Sequence, residues 1–93
     1  MGELATRSRD RGKSPDPPAA QGRPDALYDL GLLYSTGNGV DPDYVTAHMW
    51  FNLAAMQGMR RAKVERAELA KEMSPAEVAQ AQRRAREWLA SQG

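Results

Sequence analysis

Two runs of apolar residues at helical spacing, joined by Ser35-Thr36-Gly37-Asn38-Gly39, constrain this chain more than any other feature. At about 100° per residue, Ala26, Leu30, Leu33 and Tyr34 share one face of the first run, with Leu27 and Gly31 at its edge. Asp25 follows Pro24 and is the expected N-cap. Gly31 sits inside the run, at a cost of about 1 kcal/mol relative to alanine, which makes sense if another helix approaches the backbone there. Gly37 and Gly39 can take positive φ, as a sharp turn between two helices requires.

Asp41-Pro42-Asp43 opens the second run, with Asp41 as expected N-cap and Pro42 at the first helical position. Tyr44, Ala47, Phe51, Ala54 and Ala55 share a face, flanked by Trp50. A second stripe runs through Val45, Met49 and Met56, with Leu53 beyond it. A helix apolar on two sides is sandwiched between neighbours, and its small alanines permit close packing. Gly58 is placed to end it.

Residues 59–73 form a third helical segment, with Met59, Ala62, Leu69 and Met73 on one face and Ala70 at its edge. Arg66 projects from that face as a side chain that bridges helices. Ser74-Pro75-Ala76-Glu77 then has the form of a capping box, with Ser74 as N-cap, Pro75 at N1 and Glu77 at N3. The last helix runs to about Ser91, its stripe formed by Val78, Ala81, Ala85, Trp88 and Leu89. The expected core combines Trp50, Phe51, Tyr34, Leu30, Leu69, Trp88 and Leu89. All four segments carry helical spacing, so the expected fold class is all-α.

The order Ala26, Leu30-Gly31, Tyr34, Gly37, Gly39-Val40, Asp43-Tyr44, Ala47, Trp50-Phe51, Ala54-Ala55, Gly58 resembles a Sel1-like repeat. These repeats are relatives of the tetratricopeptide repeats, built from helix pairs of roughly 36 residues that stack into superhelices. Pro42 stands one residue later than in the usual Gly-Val-Pro order. One full repeat is present, whereas about three are usually needed to bury the faces of a stack. The positions Ala62, Arg66, Leu69-Ala70, Met73-Ser74-Pro75, Ala81-Gln82, Ala85 and Trp88 resemble a segment that follows the repeat in many bacterial Sel1-like proteins. That resemblance implies two C-terminal helices that cap the repeat in place of a second one. It also implies a bacterial source and a protein-interaction or adaptor role.

The expected organisation is a disordered tail over residues 1–24 and a helical domain over 25–92, divided into the repeat, 25–58, and the C-terminal helices, 59–92. The tail is rich in Pro, Gly, Ser and Arg and lacks large apolar residues. Its Met1-Gly2-Glu3-Leu4-Ala5-Thr6 fits a myristoylation pattern formally, and a chance match explains it better. Arg7, Arg9, Arg11 and Lys13 are diluted by Glu3, Asp10 and Asp16, which favours a solvated tail.

Composition removes several kinds of chemistry. The chain has no cysteine, hence no disulfide and no thiolate metal site. His48, the single histidine, has no carboxylate three or four residues away and reads as a surface or packing residue, not a ligand or a base. Gly37-Asn38-Gly39 lacks the strand and the Gly-Lys-Ser/Thr ending of a phosphate loop. No catalytic, cofactor-binding or metal-ligating residue is assigned, and the reading is non-enzymatic. No apolar run approaches the ~20 residues of a membrane span, and the start lacks the apolar core of a secretory signal. A cytoplasmic protein is the default expectation, or a periplasmic one if the chain is a fragment.

Net charge is +1, but its distribution is uneven. Residues 26–59 carry Asp29, Asp41 and Asp43 and no Lys or Arg, whereas residues 60–93 carry eight Lys or Arg against five Glu. The two halves therefore attract each other, within a chain or between chains. Tyr28, Asp29, Leu32 and Ser35 lie toward the side of the first helix away from its apolar stripe, and are the expected partner-binding residues. Val64 points away from the third stripe and marks a second contact surface. A homo-oligomer stacked through open faces is the alternative. The weakest reading is nucleic-acid binding through Arg60, Arg61, Lys63 and Arg83, because interleaved glutamates bring residues 26–93 to zero net charge.

Overall fold

The computed structural model describes residues 22–92, which form four α-helices and no strand. They are α1, Pro24–Thr36; α2, Tyr44–Met56; α3, Arg60–Ala70; and α4, Pro75–Gln92. The expected tail, including the myristoylation pattern, falls outside the described residues apart from Gly22, Arg23 and Pro24.

The helix ends follow local chemistry. Pro24 occupies the first turn of α1, where its missing N–H is no loss, and Asp25 lies in that turn without capping it. The expected Asp25 cap is thus corrected: the cap position falls two residues earlier, at Arg23. Gly37 closes α1 in the left-handed conformation at φ 74°, its N–H donating to the Leu33 carbonyl at 2.9 Å. A second correction falls at α2, where Asp43 is the N-cap in place of Asp41. The Asp43 carboxylate accepts from the Thr46 N–H at 3.1 Å and from the Thr46 hydroxyl at 2.7 Å. Asp43 is held there because its own N–H donates back to the Tyr34 carbonyl at 2.9 Å, which pins the turn. At the far end of α2, Gly58 has φ 92° and donates to Ala55, while Met59 donates to Ala54, the paired bonds of a Schellman motif. The capping box of α4 forms as read: Glu77 N–H donates to Ser74 Oγ at 3.1 Å and Ser74 N–H to Glu77 Oε1 at 2.8 Å.

Helix α2 is the hub. It packs against each of the other three helices, and Thr46–Phe51 and Leu53–Ala55 are all buried. Small residues set the spacing on α1, where Gly31 lies so close to α2 that a Cβ there would overlap the Phe51 ring. On α3, Ala62 is buried with Met59 and Leu69 packed partly against the core. On α4, Ala81 and Ala85 face α2, and the Trp88 ring meets Trp50 edge-on at 5.8 Å between centroids. Arg66 bridges α3 to α2, donating from Nη1 to Asn52 Oδ1 at 2.6 Å.

The expected core needs two adjustments. Leu89 is 41% exposed, because it follows Trp88 by one residue and so is turned about 100° away from α2. The buried face of α1 consists of Leu27, Tyr28, Leu30 and Gly31, with Ala26, Leu33 and Tyr34 half-buried. Closest approach at Gly31 rotates the helix so that the expected edge becomes the centre.

Candidate interaction surface

Of the four residues expected to bind a partner, one is buried and three are exposed or half-buried. Tyr28 is 7% exposed. Its ring lies 5.6 Å from that of Phe51, tilted by 52°, and the Arg61 guanidinium of α3 sits over it at 5.2 Å. The expected exposure of Tyr28 is therefore overturned by the rotation of α1 and by the arrival of α3 beside it. Asp29 is exposed. Leu32 is half-buried against the core edge. Ser35, also half-buried, donates its hydroxyl to the Leu32 carbonyl at 3.2 Å, and Thr36 donates to the same carbonyl at 2.8 Å. Both hydroxyls bond back to a carbonyl of the preceding turn, as Ser and Thr do in helices.

A groove that the sequence does not reveal lies at the turn end of the hairpin. It is open to solvent, about 710 Å³ in volume, and is lined by Tyr34 of α1, Val40, Asp41, Pro42 and Asp43 of the connection, Tyr44 and Val45 of α2, and Glu77 of α4. Two rings and three aliphatic side chains supply its apolar wall, and three carboxylates its charge. Asp41, Asp43 and Tyr44 were legible as a helix start, but nothing in their spacing shows that α4 delivers Glu77 beside them. Arg84 of α4 fastens that end, donating from Nη1 to Thr46 Oγ1 at 3.2 Å. Partial burial alone would raise the Asp43 pKa, but the Thr46 hydroxyl and N–H, with the Arg84 charge, outweigh it and hold the carboxyl below its ordinary value.

His48 is 2% exposed at the centre of α2. Its Nδ1 and the Trp50 Nε1 are buried without a hydrogen-bond partner. Burial, reinforced by the nearby Arg66 charge, pushes the imidazole pKa below its ordinary value, so the ring is neutral. Among the described residues no group of three or more His, Asp or Glu side chains is placed to hold a metal ion, and no helix is long and apolar enough to cross a membrane. Val64 is 55% exposed on α3, as its position in the sequence predicts.

This architecture, an αα-hairpin with a glycine turn closed by two further helices, defines a helical-repeat protein. Residues 24–59, covering α1, the turn and α2, match the Sel1 repeat, so this part of the chain is a Sel1-like repeat. No curated protein and no solved structure matches it. A Sel1 repeat suggests a protein–protein interaction module.

Proposed function

We propose that this chain is a non-enzymatic protein-interaction module that binds its partner through the side of α1 turned away from α2, around Asp29 and Leu32. The observation that supports this reading is the packing of α1 against one helix: its extensive contacts are with α2, while α3 reaches it through Arg61. In this reading Tyr28 supports the face from beneath and does not touch the partner. Leu32→Arg removes partner capture while leaving the circular dichroism spectrum unchanged, and Tyr28→Phe leaves both unchanged. Capture that survives Leu32→Arg rules out this face.

Exposed apolar side chains support a second reading, self-association. Met56 at the end of α2 is 57% exposed, and Val64 on α3 is also uncovered. Light scattering across a hundredfold concentration range separates the two readings. A monomer throughout rules out self-association, and a dimer lost in Val64→Glu but retained in Leu32→Arg supports it.

A further inference from the structure

We propose that the outward stripe of α1 docks on the outward stripe of α3 in a second copy of the chain, and that the reciprocal contact closes a two-fold dimer. This rests on the reading of the α1 face as a binding face and names its partner. Asp25, Asp29, Leu32 and Thr36 are spaced i, i+4, i+7 and i+11, so they form one line along α1, half-buried at Leu32 and exposed at the other three. Arg60, Val64, Ala67 and Lys71 repeat the same spacing along α3 and its C-cap, and all four are exposed. They stand opposite Ala62 and Leu69, which turn toward the core. Each stripe thus has an apolar centre, Leu32 on one and Val64 with Ala67 on the other, with charge of opposite sign beside it.

Charge and length select a second copy as the occupant. Helix α1 carries two aspartates and no cation, whereas α3 carries four cations against two glutamates. The excess charges are equal and opposite, −2 and +2. Among the described residues, Asp25 pairs with Arg23 at 3.5 Å and Lys71 with Glu68 at 3.3 Å, while Asp29, Arg60 and Lys63 make no ion pair. These unpaired charges fall in the first half of each helix, so α1 and the α3 of the second copy lie with their N-terminal halves together. With 13 and 11 residues the helices are about 20 Å and about 16 Å long, so the stripes match in length. Within one chain α1 and α3 are neighbours, joined by Arg61 over Tyr28, and present their stripes on adjoining parts of the surface. A two-fold axis then lays each acidic stripe on a basic one, and both contacts are used within the pair.

Sedimentation equilibrium of the full chain over a wide range of concentration tests this. The wild type should reach the mass of two chains and stop there. Asp29→Lys and Arg60→Asp should each weaken dimerisation at least about tenfold, because each change acts twice across the axis. In Asp29→Lys/Arg60→Asp the reversed charges pair again, and affinity should return to within about threefold of the wild type. That recovery also shows that neither change unfolds the chain. A monomer at every concentration overturns the second copy as partner and leaves the α1 face to a foreign protein. A dimer indifferent to Asp29→Lys overturns the α1 face itself. A dimer sensitive to Asp29→Lys but not to Arg60→Asp, or not recovered in the double variant, overturns α3 as its counterpart. Mass that rises beyond two chains overturns the two-fold arrangement.

Discussion

The guanidinium of Arg61 lies over the ring of Tyr28, 5.2 Å from its centroid, and so ties α3 to α1 across the rim of α2. The Tyr28 ring also meets that of Phe51, 5.6 Å away between centroids. Tyr28 is thereby a structural residue. Tyr28→Ala should destabilise the fold by about 3 kcal/mol, in the range of buried aromatic truncations. Tyr28→Phe and Arg61→Ala should each cost about 1 kcal/mol or less. Urea unfolding followed by circular dichroism checks this; an unshifted midpoint for Tyr28→Ala would contradict the burial of its ring.

Gly31 makes the opposite prediction from helix propensity. An exposed mid-helix glycine gains about 1 kcal/mol on replacement by alanine. Here the added methyl meets the Phe51 ring, and the ring is packed on all sides. Gly31→Ala should therefore lower stability by about 1–3 kcal/mol, the cost of overpacking. The pair Gly31→Ala/Phe51→Leu, which frees space, should recover part of that loss.

The Trp50–Trp88 contact joins the repeat to its last helix. Removing α4 by truncation after Met73 uncovers Trp50 and the α2 face that Ala81 and Ala85 cover. The truncated chain should lose cooperative thermal unfolding. Trp88→Ala in the full chain should cost about 2–3 kcal/mol, less than a fully buried tryptophan because Trp88 is half-buried. Calorimetry distinguishes these outcomes from an independently stable hairpin, which would melt at an unchanged temperature.

Acid should weaken the fold in two windows. The folded His48 has its pKa lowered from 6.5, first by burial and then by Arg66, so the unfolded chain takes up the proton more readily. Its contribution is complete above pH 6.5 and is lost as pH falls below that value, at no more than about 1.4 kcal/mol per pH unit. Asp43, also lowered, acts in the same direction below its ordinary 3.8. In His48→Gln the first window should vanish and the second remain. Asp43→Ala should remove the second and cost about 1 kcal/mol at neutral pH through loss of the cap. Denaturant titrations at a series of pH values test both; a pH-independent wild type would exclude the buried neutral imidazole.

Helix number, turn chemistry and the capping box could be read from the sequence by itself, because they depend on neighbours within four residues. Gly37 needs only its own φ, and Ser74 and Glu77 need only each other. The sandwiching of α2 was legible too, since a helix apolar on two sides has one stable environment. Tertiary structure decided what depends on the rotation of one helix against another. A turn of one residue, about 100°, separates the expected face of α1 from the observed one, and it carried Tyr28 inside. The same increment left Leu89 outside, one position past Trp88. The meeting of Glu77 with Tyr34 and Asp41 lies further still from local pattern, because more than thirty residues separate them and only the packing of α4 on α2 brings them together.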